Sequence, residues 1–141
     1  MSLSATIVCT PQGNRPRLFL KSLPHSVKWP DVIAYIKELK RHHRNKKLLL
    51  FWDGLAAHKA KAVRAYLKTQ RAWLRVERLP AYCPEINPPE YLWSAMKHKY
   101  ICNLPPEGKQ RLKQLVAKSY RTIRNNTTLL KGFLKASGLF T

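Results

Sequence analysis

Leu48-Leu49-Leu50-Phe51-Trp52-Asp53-Gly54 is the stretch that most limits what this chain can fold into. A short apolar run that ends on a carboxylate and a glycine reads as a strand buried on both faces, the kind found inside parallel sheets. In open α/β sheets, chemistry gathers beyond the carboxyl ends of such strands, and Asp53 falls there. Gly54 would let the chain leave the strand at a backbone angle that other residues avoid. Asp53 also has a purely structural use, because Asx side chains cap helices that follow strands.

Charge narrows the choice of partner. The chain has 141 residues, enough for one domain with its own core. It carries 27 Lys and Arg against 7 Asp and Glu, a net charge of +20 spread along its whole length. A domain this basic repels itself unless something anionic neutralises it. Nucleic acid is the leading partner, through phosphate neutralisation and counterion release, and an anionic membrane surface is the weaker one. No apolar run approaches the roughly 20 residues needed to span a bilayer, and no stretch has the charged, apolar, small order of a signal peptide. Cys9, Cys83 and Cys102 are dispersed and form no CxxC pair. A disulfide framework or zinc site is therefore not expected, and a reducing cytosol fits.

Along the chain, Ser4–Thr10 reads as a strand, Pro11-Gln12-Gly13-Asn14 as a turn, and Arg17–Leu20 as a second strand closing an antiparallel hairpin. Trp29-Pro30-Asp31 opens a helix, with proline and an acid suited to its first turn, and Val32, Ile33, Ile36 and Leu39 recur at helical spacing. Asp31 is thereby explained as a helix start. The basic run Lys40–Lys47 suits a helix C-terminus and reads as a solvated face; adjacent His42 and His43 point apart and make a poor metal pair.

After Asp53, Ala56–Gln70 reads as one helix with a modest stripe of Val63, Tyr66 and Leu67. Lys59, Lys61, Arg64 and Lys68 lie largely off that stripe, where they either track a phosphate backbone or form an ordinary exposed face. His58 either orients a ligand or occupies a polar turn. Leu74–Leu79 alternates as a strand with one solvated face, with Glu77 among the outward charges.

Leu79-Pro80-Ala81-Tyr82-Cys83-Pro84-Glu85-Ile86-Asn87-Pro88-Pro89-Glu90-Tyr91-Leu92-Trp93 is the most unusual stretch. Its prolines stiffen a loop. Asn87, Pro88 and Glu90 are then spaced almost as a capping box, which gives Glu90 a structural use. A glutamate delivered by a rigid loop is also well placed to meet a carboxylate at a strand end. Two carboxylates brought together repel unless a proton or cation lies between them, and magnesium is the natural occupant in a protein that handles phosphates. Beyond it, Pro105-Pro106-Glu107 opens a helix with Leu112, Leu115, Val116 and Ile123 on one face. Asn125-Asn126-Thr127 breaks that helix, and Leu129, Leu130, Phe133 and Leu134 stripe a last one that should cover a sheet face.

Leu50–Lys97 resembles the catalytic half of the mariner superfamily of DDE transposases, most of all the bacterial insertion-sequence transposases of the 630 group. Trp52-Asp53-Gly54-Leu55-Ala56-Ala57-His58 is similar to that family's strand with its second catalytic Asp and following His. Leu79–Glu90 is similar to its Leu-Pro-x-Tyr-Ser-Pro-x-x-Asn-Pro-x-Glu motif with the catalytic Glu, Cys83 standing for the commoner serine; Trp93 and Lys97 continue the match. The resemblance implies an α/β domain of RNase H-like fold, a mixed sheet flanked by helices, over residues 1–141, with 105–141 as its C-terminal helices. It also implies two metal ions, magnesium or manganese, held by three carboxylates and serving phosphodiester cleavage and strand transfer. Asp53 and Glu90 would be two of the three catalytic and metal ligands, and His58, Lys59, Lys61, Arg64 and Lys97 the candidate DNA contacts. The partners implied are DNA (transposon ends and target), a second copy of the chain and an N-terminal remainder, in the bacterial cytoplasm at the nucleoid, with no membrane.

One departure matters. The family's first Asp lies on a strand upstream of the hairpin, and no Asp or Glu precedes Asp31 here. The expectation is a transposase fragment lacking the first, central strand, from a truncated gene or a split reading frame, with little or no cleavage of its own. Such a chain must pair its remaining strands directly, pair with another chain, or fold poorly alone. The alternative is a non-catalytic, basic DNA-binding remnant or repurposed domain.

Overall fold

A computed structural model describes residues 2–98 and 109–139. The strands form two separate two-stranded sheets, and the chain divides into two compact units. One unit spans Leu23–Cys83; the other joins Leu3–Ser22 to Pro84–Thr141.

The Leu23–Cys83 unit is a small α/β layer. Helix α1 (Trp29–His42) starts as expected: Pro30 sits in the first turn, and Asp31 Oδ2 accepts from the Lys28 amide at 2.9 Å. Strand β3 (Leu48–Trp52) lies parallel to β4 (Leu74–Arg78), with Leu48 opposite Leu74 and Trp52 opposite Arg78. Val32 and Ile36 of α1, Val63 of the connecting helix and Leu74 form the core, with Leu48, Leu50, Trp52 and Val76 packed against it.

That packing corrects the reading of β3. The strand is covered on one face only: Leu49 and Phe51, on the other, are 55% and 47% exposed. An unbroken apolar run cannot show whether anything covers its second face. Strand β4 alternates as expected, and Glu77 pairs with Arg75 at 3.0 Å on the surface, a contact worth about 0–1 kcal/mol.

The Ala56–Gln70 helix is also corrected. It is a 3-10 turn (Ala56–Lys59) followed by α2 (Lys61–Thr69), broken at Ala60, where ψ is 140°. Ala57, Ala60 and Val63 all reach the core. The extended backbone at Ala60 separates the two segments while all three side chains still reach the core.

In the other unit, β1 (Ser2–Val8) pairs with β2 (Arg17–Leu23). The connection is too short for a parallel crossover, so the pair is an antiparallel hairpin. The first strand runs two residues earlier than Ser4–Thr10, because Thr10 belongs to the turn: its Oγ1 accepts from the Asn14 amide at 3.0 Å, and Gly13 takes φ 78°. Alternate residues of the hairpin, Leu3, Ala5 and Ile7 with Leu18 and Leu20, meet helices α3 (Pro88–Met96), α4 (Lys109–Ile123) and α5 (Thr127–Ala136) through Leu92, Met96, Val116, Ile123, Leu130 and Phe133. The C-terminal helices thus cover a sheet face, as their stripes predict. Asn126 caps α5, its side chain accepting from the Leu129 amide at 3.0 Å. The expected start of a helix at Pro105-Pro106-Glu107 lies outside the described residues.

Among the described residues, no helix is long and apolar enough to cross a membrane.

Candidate catalytic carboxylates

Asp53 is the first residue after β3. Trp52 is still in the ladder: its carbonyl accepts from the Leu79 amide at 2.8 Å. The next residue turns. Asp53 Oδ1 accepts from the Leu55 amide at 3.0 Å, closing an Asx turn rather than capping a helix. His58 Nδ1 lies 3.1 Å from the same Oδ1 and 3.2 Å from the Asp53 carbonyl. Both partners are acceptors, so Nδ1 carries the proton and donates.

The imidazole is fixed from its other side as well. It stacks on the Trp52 indole with centroids 4.2 Å apart and planes 6° from parallel. The His58 side chain is 18% exposed and the Asp53 side chain 55%. His58 therefore occupies the polar turn, and there it holds one oxygen of Asp53. The other oxygen, Oδ2, has no partner among the described residues.

Gly54 departs from expectation. Its φ is not in the left-handed region, which among the described glycines only Gly13 and Gly138 occupy. What the missing side chain provides is room: a Cβ at Gly54 would meet Arg78 Nη2 at 2.6 Å. The Arg78 guanidinium thus lies against the turn that carries Asp53. Nothing in the local pattern around Arg78 marks it out, because the contact depends on the register of β3 with β4.

Glu90 is the third residue of α3, after Asn87, Pro88 and Pro89. The expected capping box does not form. Asn87 makes no side-chain cap bond, and the Glu90 amide bonds to the Asn87 carbonyl at 3.0 Å instead. The two amides a capping box would use are both taken by backbone carbonyls, the Asn87 amide by that of Pro84 at 3.0 Å and the Glu90 amide by that of Asn87. The Glu90 carboxylate is half-buried and has no hydrogen-bond or ion-pair partner among the described residues. The helix beneath it is anchored by a residue that sequence alone left without a role. The Tyr91 hydroxyl lies 2.7 Å from the Glu85 carbonyl and 3.1 Å from the Ala136 carbonyl, tying the proline-rich loop to the end of α5. Trp93 packs against the core of the same unit.

Tyr82, within the same loop, is 99% exposed with φ 58°. Lys59, Lys61 and Arg64 are exposed beside the Asp53 turn, and Lys97 is exposed at the end of α3. Cys9 and Cys83 are free thiols; burial pushes the Cys9 thiol up, which keeps it protonated and a poor nucleophile. Among the described residues, no group of three or more His, Cys, Asp or Glu side chains is placed to hold a metal ion. The chemistry of the two carboxylates still suits one. Asp53 Oδ2 and the Glu90 oxygens are unshared hard donors of the kind magnesium and manganese take.

Comparison with solved structures places this geometry in a fold. The catalytic domain of Mos1 mariner transposase aligns over 99% of this chain and 82% of its own, with TM-score 0.58 and 15% identity. The structure of the Mos1 transposase catalytic domain and raltegravir with manganese aligns over 96% and 81%, with TM-score 0.56 and 17% identity. The fold is that of an RNase H-like transposase catalytic domain. No match is found among curated proteins. The sequence family described as DDE superfamily endonuclease matches residues 9–113, most of the chain, and the protein belongs to that family.

Proposed function

We propose that this chain supplies part of the catalytic centre of a DNA transposase, with Asp53 and Glu90 as two of its carboxylate metal ligands. On this reading the chain groups with the insertion-sequence transposases of the 630 group. The observation that carries the reading is the Asp53 turn. A carboxylate at the end of a parallel strand has one oxygen fixed by an amide and a stacked histidine, and the other left open. A half-buried Glu90 without a partner among the described residues supports it, since a carboxylate loses hydration on burial and usually regains it in bonds.

On this reading Asp53, through Oδ2, and Glu90 would each be a ligand for magnesium or manganese. Such a cation supplies charge stabilisation at the phosphodiester and activates the attacking oxygen. His58 keeps the Asp53 carboxylate in one orientation, so the open oxygen is presented without rotamer loss. Lys59, Lys61 and Arg64 beside the turn, and Lys97 after Glu90, would meet DNA phosphates. Among the described residues no third carboxylate joins a group that could hold the metal, so on this reading the chain by itself should cleave little or nothing. Its partners would be transposon-end and target DNA, together with whatever chain segment or second copy completes the site.

Calorimetric titration with manganese chloride tests the ligand assignment. Weak binding is expected, lost in Asp53→Asn and reduced in Glu90→Gln; unchanged binding in both would remove the two carboxylates from the role. A supercoiled-plasmid assay tests activity. Magnesium-dependent nicking by the chain alone that disappears in Asp53→Asn would show the site to be sufficient without a third carboxylate. The second reading, a basic DNA-binding domain without catalysis, draws on the charge of +20. Both readings give salt-sensitive DNA binding; manganese binding through Asp53 belongs only to the first.

A further inference from the structure

Helices α1 and α2 enclose an open cleft of about 460 Å³, lined by Lys37, Lys40, Arg41, Tyr66 and Gln70. No acidic side chain lines it. Lys37, Lys40 and Arg41 are exposed, and none of the three forms an ion pair with a carboxylate among the described residues.

The two lysines are nevertheless held. Lys37 Nζ lies 5.8 Å from the centre of the Tyr66 ring, and Lys40 Nζ lies 5.8 Å from that of Trp73. Lys40 Nζ also donates to Gln70 Oε1 at 3.3 Å, and the same oxygen accepts from Trp73 Nε1 at 2.7 Å. Lysines on an ordinary solvated face sample many rotamers, and ordering them on binding costs conformational entropy. Here neutral partners hold the ammonium groups and leave their charge uncompensated. Favourable interaction with the α1 dipole accounts for cations in its last turn, but not for Lys37, which precedes that turn, nor for tethers to α2 and Trp73.

We infer that this cleft is a second nucleic-acid contact, binding the phosphate backbone of duplex DNA through Lys37, Lys40 and Arg41. The chemistry favours phosphate over base. Lysine presents a point charge and arginine a fork suited to phosphate oxygens. The two aromatic rings are already faced by ammonium groups, so they offer no open platform for a base. Burial pushes the Tyr66 phenol up, leaving its hydroxyl a neutral donor at working pH. Backbone contacts carry no sequence information, so the cleft adds affinity and register without specificity. Only the choice of DNA as the nucleic acid rests on the transposase reading; the phosphate site does not depend on the carboxylates.

The test is fluorescence anisotropy with a labelled 30-base-pair duplex across a salt series. The cleft variant is Lys37→Gln/Lys40→Gln/Arg41→Gln, and the charge-matched control is Arg111→Gln/Lys118→Gln/Arg121→Gln on α4. The cleft variant should bind about 10-fold or more weakly than the control, with its salt slope shallower by roughly 2–3, since each phosphate contact contributes about 0.9. Lys37→Gln alone, away from the helix end, should lose part of the same affinity with an unchanged urea midpoint. The cleft variant should bind manganese like the parent, which separates failure of the cleft from failure of the catalytic reading. Equal losses in cleft variant and control would reduce the effect to net charge and overturn the site. Tighter binding of duplex RNA, or a cleft effect seen only on vesicles containing phosphatidylserine, would overturn the assignment to DNA.

Discussion

Asp53 leaves β3 in a turn that its own side chain closes, with an amide and a stacked histidine on one oxygen. Glu90, in the first turn of α3, has no partner on either oxygen among the described residues although it is half-buried. The two carboxylates lie in different compact units of the chain, and they are explained differently. Local structure is enough to account for the conformation of Asp53. It does not account for Glu90, whose capping role is lost because the Asn87 and Glu90 amides bond to backbone carbonyls instead. A carboxylate with a structural use is a poor witness to function by itself; one without such a use is a better witness. The pair therefore separates stability from chemistry in a way that neither residue does alone.

The largest expected effect tests whether Glu90 rides on a rigid support. Leu92, two residues on and on the buried side of α3, is 0% exposed, and Ile36 in the other unit is 1% exposed. Leu92→Ala and Ile36→Ala should each lower unfolding free energy by about 2–5 kcal/mol, the cost of removing buried methyl groups and leaving a cavity. Urea denaturation measures both. A small loss for Leu92→Ala beside a large one for Ile36→Ala would mean that α3 is loosely seated, and Glu90 would then have no fixed position to exploit.

A smaller effect sharpens the contrast between the carboxylates themselves. Asp53→Ala removes the turn-closing acceptor and should cost about 0.5–1.5 kcal/mol. Asp53→Asn keeps an oxygen for the Leu55 amide and should cost less. Glu90→Gln removes no bond and should stay within about 0.5 kcal/mol of the parent. If Glu90→Gln is the most damaging of the three, the carboxylate has a structural partner and the contrast fails.

What could be read from the sequence follows the range of the forces involved. The start of α1 was legible because Pro30 and Asp31 obey rules that operate within one turn. The break at Asn125-Asn126-Thr127 was legible for the same reason: Asn126 caps the next helix from within it. The position of Asp53 at a strand end was legible because an apolar run stopped there. Four features were not legible, and all four are set by residues distant in sequence or by context. Exposure of Leu49 and Phe51 depends on what covers the far face of β3. The break at Ala60 has no proline or glycine to announce it. The approach of the Arg78 guanidinium to Gly54, 24 positions back, follows from strand pairing. Tyr91 anchors α3 through the carbonyl of Ala136, 45 positions away. Family resemblance marked Asp53 and Glu90, but it could not show that one is tied down and the other is not.

The smallest expected effect asks whether the unit holding Asp53 is the one that responds to mild acid. His43 follows α1, its amide bonded to the Leu39 carbonyl at 3.0 Å. Burial holds its pKa below the ordinary 6.5, and the nearby charges of Lys46 and His42 lower it further. These outweigh the attraction a helix C-terminus exerts on a protonated imidazole. The unfolded chain therefore binds the proton more readily than the folded one. The contribution of neutral His43 is fully present above pH 6.5 and is lost as pH falls below that value toward the folded pKa. Urea midpoints should fall between pH 7.5 and pH 5.5, and fall less in His43→Gln, which cannot take up the proton. A midpoint that rises on acidification would contradict the sign. An equal fall in both proteins would move the acid response away from the end of α1, and with it the expectation that the Asp53 unit loosens first.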